Sequence, residues 1–197
     1  MDRLAAEVAA CTQCILHKGR VKAVPGEGPA HADIMFVGEG PGFHENQRGR
    51  PFVGSAGQFL EELLASIGLK REQVYITNVV KCRPPGNRDP LPEEIEACKQ
   101  YLDRQIALIQ PKVIVTLGRF SMARAFPNEK ISRIHGQPKK VDGIVYVPMF
   151  HPAAALHQPS LRRTVEEDFQ GLLSILAEVE HMQDEEPPEQ AEQLSLF

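Results

Sequence analysis

The sequence predicts an α/β protein, a three-layer α/β/α sandwich around a central four-stranded parallel sheet. Short apolar runs at Ile34-Met35-Phe36-Val37, Val74-Tyr75-Ile76-Thr77, Val113-Ile114-Val115-Thr116-Leu117 and Val145-Tyr146-Val147-Pro148-Met149-Phe150 lack polar alternation, as strands buried on both faces do. Helical patterns separate these runs, the order that gives parallel pairing. A chain of 197 residues, 42% of them hydrophobic, buries one full core, so one domain with a tail is expected.

The elements follow in order. A helix over about 2–10 leads into Cys11-Thr12-Gln13-Cys14, and a turn at Pro25-Gly26-Glu27-Gly28-Pro29 precedes the first strand. That strand ends in Gly38-Glu39-Gly40-Pro41-Gly42, a polar loop, and Gly49-Arg50-Pro51-Phe52-Val53-Gly54. Seven glycines and prolines between positions 38 and 54 are too many for a plain connection. Ser55 is expected to cap a helix with Leu60, Leu63, Leu64 and Ile67 on one face and Gly68 as its stop. Bare backbone N–H groups and a helix N-terminus then surround a cavity suited to an anionic or polar ligand. The second strand runs into Asn78-Val79-Val80-Lys81-Cys82-Arg83-Pro84-Pro85, and Gly86-Asn87-Arg88-Asp89-Pro90 is loop. Pro92 opens a helix with Glu93, Glu94 and Glu96 in its first turn, where the dipole favours acids. The third strand ends in Gly118 and a short helix, and the fourth in His151-Pro152-Ala153. A last helix spans about 164–180. Ligands of such sheets sit beyond the carboxyl ends of the strands, which here carry Gly38 to Gly42, Asn78, Gly118 and His151.

The start shows no cationic segment followed by an apolar run, and no apolar run is long enough to span a bilayer. A cytoplasmic monomer is expected. The net charge of −4 conceals an uneven distribution. Seven of the 26 acidic residues fall in 178–197, which holds no Lys or Arg, so 22 basic residues face 19 acidic ones and the body carries +3. That is compatible with nucleic-acid contact.

The chain has four cysteines, Cys11, Cys14, Cys82 and Cys98. Disulfides are not expected in a cytosolic protein of this size, and no strand precedes Cys11 as a thioredoxin-like pair requires. A four-thiolate metal site fits, with zinc or an iron–sulfur cluster equally served by the spacing.

In Gly38-Glu39-Gly40-Pro41-Gly42, Gly49-Arg50-Pro51-Phe52-Val53-Gly54, Asn78-Val79-Val80-Lys81-Cys82-Arg83-Pro84-Pro85 and His151-Pro152-Ala153, the sequence resembles the family 4 uracil-DNA glycosylases over about 1–178. The four cysteines match that family's cluster ligands in order. The resemblance implies a four-stranded parallel sheet between helices, a 4Fe–4S cluster with zinc as the alternative, and excision of uracil from DNA to leave an abasic site. Under it, Phe52 stacks on a flipped-out uracil, Asn78 reads its polar edge, and His151 donates to the uracil oxygen as the bond breaks. Glu39, with the backbone of Gly38, Gly40 and Gly42, positions water or offsets charge on the sugar. Arg50, Arg162 and Arg163 are the expected phosphate contacts, and Leu156 the wedge entering the duplex. Arg133-Ile134-His135 echoes a covalently trapping relative but follows the wrong strand, so that chemistry is not carried over.

Residues 181–192, rich in Glu, Gln and Pro, read as a flexible acidic linker after a glycosylase domain over 1–180. The end, Gln193-Leu194-Ser195-Leu196-Phe197, resembles the pentapeptide that docks bacterial repair proteins on the sliding clamp, with Gln193, Leu194, Leu196 and Phe197 as its contacts. Action on nucleoid DNA is expected. The alternative is a non-catalytic iron–sulfur accessory protein that binds DNA while tethered to the clamp.

Overall fold

A computed structural model describes residues 1–184. Its elements are α1 (Asp2–Ala10), β1 (Ile34–Gly38), α2 (Phe43–Arg48), α3 (Ser55–Ser66), β2 (Tyr75–Asn78), α4 (Pro92–Ile109), β3 (Val113–Leu117), α5 (Arg119–Met122), α6 (Ile131–Ile134), β4 (Lys139–Val141), β5 (Ile144–Met149), α7 (Pro152–His157) and α8 (Arg162–Asp184). The sheet runs β2-β1-β3-β5-β4. The four expected strands pair in parallel, while β4 adds a fifth, antiparallel to β5 at the edge. Asp142 and Gly143 make the connecting turn, both at positive φ (50° and 81°), as tight hairpins require.

Alternate residues of β1 serve opposite faces of the sheet. Ile34 and Phe36 join the layer of α3, α7 and α8, where Phe36 stacks on Phe169 with ring centroids 5.9 Å apart. Met35 and Val37 join the layer of α1 and α4, which also contains Cys82 and Cys98. Burial on both faces is why the runs are continuously apolar.

Chain order reverses between β1 and β3, the two strands at the centre, which opens a crevice at their carboxyl ends. Three local expectations are corrected. The N-cap of α3 is Gly54, not Ser55, and no side chain caps it. The polar loop after Gly42 coils into α2, whose first turn is closed by Glu45 accepting from Gly42 N. The last helix extends to Asp184, so residues 181–184 are helical rather than linker. The pentapeptide 193–197 lies outside the described residues.

Candidate active site

A cleft of about 460 Å³ opens at the carboxyl ends of the strands, within the size range of small-ligand sites. Glu39, Gly40, Gly42, Phe52, Asn78 and His151 line it. Register brings the first strand ends together, because Gly38 is the direct neighbour of Asn78 across β1 and β2. A Cβ at Gly38 would run into both Asn78 Oδ1 and the Phe52 ring, so this glycine provides the space in which those two side chains meet.

Asn78 is 2% exposed, and its Oδ1 has no hydrogen-bond partner in the protein. A buried, unpaired amide oxygen is costly, and one that lines a cleft is suited to a donor supplied by a ligand. Beside it, the Phe52 and His151 rings lie nearly parallel with centroids 5.5 Å apart. His151 Nδ1 accepts from Ala153 N at 3.1 Å, capping α7. That bond places the ring proton on Nε2. Burial lowers the His151 pKa to about 4, with Glu45 opposing the shift, so the ring is a neutral donor at pH 7. Gly118 makes room for it, because a Cβ there would stand 3.3 Å from His151 Cβ.

Phe52 has a left-handed φ of 49°, a strained state for a side-chain-bearing residue that persists only where its surroundings over-determine it. Two residues the sequence reading missed supply that constraint. Glu45 accepts from Val53 N at 2.8 Å, Gly54 N at 2.9 Å and Gly42 N at 3.1 Å, tying the two glycine-rich loops to one carboxylate. From the other side, Arg71, with its side chain 9% exposed, donates to Phe52 O at 3.0 Å and to Pro51 O. Gly57 completes the seat, since a Cβ there would overlap the Phe52 carbonyl. Glu45 sits three residues after Gly42, a capping-box signal legible in the sequence; nothing local marks Arg71.

Glu39 is half-buried at the rim. Burial chiefly, and then nearby Asp89, raise its pKa, while Arg119 opposes them. His44, Asn87, Arg88 and His157 also line the cleft. Arg88 is fixed by a bidentate pair with Glu94 (2.6 and 2.9 Å), whose carboxylate is fully buried. The predicted phosphate contacts stand differently. Arg50 makes a bidentate pair with Glu27, Arg162 pairs with Glu62 and Glu166, and Arg163 pairs with Glu167. Leu156 projects from α7 at 41% exposure, between the cleft-lining Ala154 and His157. His135 is bound to Asp168 at 2.9 Å and packs on Phe150, and it does not line the cleft.

On the opposite face of the sheet, Cys11, Cys14, Cys82 and Cys98 line one cavity together with Arg20, Lys81 and Tyr101. Three donors point at sulfur: Arg20 Nη1 to Cys82 (3.5 Å), Gln13 N to Cys11 (3.5 Å) and Lys81 N to Cys98 (3.3 Å). Burial raises the Cys14 and Cys82 pKa values and brings Cys98 to about 11. Among the described residues, no three His, Cys, Asp or Glu side chains gather around one ion position. No helix among them is long and apolar enough to cross a membrane.

The cleft at the strand ends gathers a buried amide, an aromatic ring and a neutral imidazole, a set suited to a flat polar ligand. Residues 25–176 match the model of the uracil DNA glycosylase superfamily. The type-4 uracil-DNA glycosylase of Sulfurisphaera tokodaii is 50% identical over 89% of this chain and 84% of its own. Those of Archaeoglobus fulgidus and Thermotoga maritima are 49% and 46% identical, over 86% and 89% of this chain and 89% and 94% of theirs. The chain belongs to the uracil DNA glycosylase superfamily and, within it, to the type-4 family.

Proposed function

We propose that the cleft binds uracil flipped out of DNA and that the protein hydrolyses its N-glycosidic bond, leaving an abasic site in base excision repair. The observation that carries this reading is the unpartnered Asn78 Oδ1 beneath Phe52 and beside His151. Uracil offers an N3–H to that oxygen and a carbonyl to the amide nitrogen. Cytosine offers an acceptor and an amino group in their place, which leaves the amide mispaired at a cost of orders of magnitude in rate.

When the C1′–N1 bond breaks, the electron pair leaves with the base and uracil departs as an anion. His151 Nε2–H donates to its oxygen, an interaction that strengthens as charge accumulates. Phe52 holds the base plane, and Glu39 with the Gly40–Gly42 backbone orients the water that adds to C1′, whose released proton neutralises the departed uracil anion by way of solvent. Leu156 fills the gap left in the stack. Arg50, Arg162 and Arg163 exchange carboxylate partners for phosphates. The exchange is cheap, because exposed ion pairs contribute about 0–1 kcal/mol.

Cys11, Cys14, Cys82 and Cys98 hold a 4Fe–4S cluster. Zinc held by the same four thiolates, with Zn–S bonds of about 2.3 Å, is the alternative. Donors aimed at three of the sulfurs suit cluster thiolates. The bound group supplies metal–sulfur bonds that tie α1 and the loop after β2 to α4. Residues 1–180 form the glycosylase domain, and residues 193–197 dock the protein, as a monomer, on the bacterial sliding clamp at the nucleoid.

The test is strand cleavage after alkali on a uracil-containing oligonucleotide, beside a cytosine control, with protein purified without air. Breaks with uracil alone are expected; breaks with neither contradict the reading.

A further inference from the structure

One aromatic residue at the rim is left unused by this chemistry. Phe43 is 52% exposed, whereas Phe36, Phe52, Phe59, Phe126 and Phe169 are all buried. Its neighbours on both sides, Gly42 and His44, line the cleft. The His44 ring meets its edge at 5.4 Å, and the Arg83 guanidinium lies 5.3 Å from its centroid. Arg83 Nε is held by Asn87 Oδ1 at 2.7 Å, and both Asn87 and Pro84 line the cleft. A ladder of His44, Phe43 and Arg83 therefore leads outward from the base pocket.

Arg83 also differs from Arg88, the arginine that lines the cleft and is neutralised by a buried carboxylate. Arg50, Arg88, Arg119, Arg162 and Arg163 each pair with a carboxylate. Among the described residues Arg83 makes no ion pair, and the partner holding its Nε is neutral. An uncompensated cation over an exposed ring suits a ligand that is both flat and anionic, and a nucleotide is both.

Resting on the uracil-excision reading above, we propose that Phe43 and Arg83 form a subsite for the unpaired nucleotide next to the flipped uridine in single-stranded DNA. The base stacks on Phe43, and its phosphate takes Arg83. A base paired in a duplex has its faces already covered by its neighbours in the stack, so the subsite favours single strands.

The experiment grows single-stranded uracil oligonucleotides one nucleotide at a time on each side of the uracil and measures kcat/KM with the full chain. The wild type is expected to gain roughly tenfold at the first nucleotide on one side, the scale of base–aromatic stacking, and to lose that gain when the nucleotide is abasic. Phe43→Ala and Phe43→Leu should both lose the step, and Phe43→Trp should keep it. Arg83→Gln should lower the salt slope by about 0.7, the value for one phosphate on a single strand. A step of wild-type size in Phe43→Ala, or one that survives an abasic flank, overturns the subsite. An equal loss on duplex overturns its single-strand character. A wild type inert on every uracil oligonucleotide overturns the glycosylase reading itself, a result distinct from excision without a step.

Discussion

Two cavities among the described residues are built on opposite principles. In the cleft at the strand ends, a buried amide oxygen lacks a partner and a phenylalanine is held at positive φ. In the cysteine cavity, donors already converge on sulfur. The first leaves interactions open for a ligand that comes and goes. The second directs its donors at its own thiols, the arrangement the proposed cluster would use. One buried residue joins them. Lys81 Nζ donates to Asn78 O, Thr77 Oγ1 and Gln105 Oε1, each at 2.7 Å, while its backbone N–H meets Cys98 Sγ. The strand end that carries Asn78 is thus anchored through the residue adjacent to Cys82. Removing a group from the cleft should cost chemistry and spare the fold, and removing one from the cysteine cavity should do the reverse first.

The largest effect is expected at His151. His151→Ala should cut single-turnover excision by roughly 10²–10³-fold, the scale of losing one preorganised donor, while iron content and circular dichroism stay at wild-type values. Cys98→Ser should lower iron content and soluble yield together. Unchanged iron in the purified variant would remove Cys98 from the ligand set. Glu45→Gln keeps the size of the side chain but has one acceptor oxygen, so its NH₂ group must face either Gly42 N or the pair Val53 N and Gly54 N. It should loosen the Phe52 plate, lower kcat about tenfold and leave iron content intact.

The smallest predicted effect concerns pH. The His151 pKa lies near 4 in the folded chain and near 6.5 in the unfolded one. Between those values the unfolded chain binds a proton that the folded chain does not, so stability falls as pH drops from 6.5 toward 4. The neutral donor itself survives over that range, so the limb of the excision rate that belongs to this group should lie near pH 4. A limb near 6.5 would mean that His151 is not desolvated.

The legibility of the two regions in sequence also differs. The four parallel strands are buried on both faces along most of their length, so they announced themselves as apolar runs, and the residues ending them (Gly38, Asn78, His151) could be placed from strand order alone. The β4 strand is exposed and carries Lys139 and Lys140, so hydrophobicity did not mark it, although Asp142-Gly143 is a hairpin turn signal. Arg71 pins Phe52 across 19 residues, and no local pattern records such a contact. Arg50, Arg162 and Arg163 read as free cations until their carboxylate partners were placed beside them.

The most direct test of this division is one variant with two readouts. Asn78→Ala removes the open amide of the cleft without touching a cysteine, and it is assayed for uracil excision under single-turnover conditions and for iron per chain. Excision should fall by orders of magnitude with iron unchanged. A wild-type excision rate, or loss of iron along with activity, would contradict the separation of a reactive cleft from a bracing cavity.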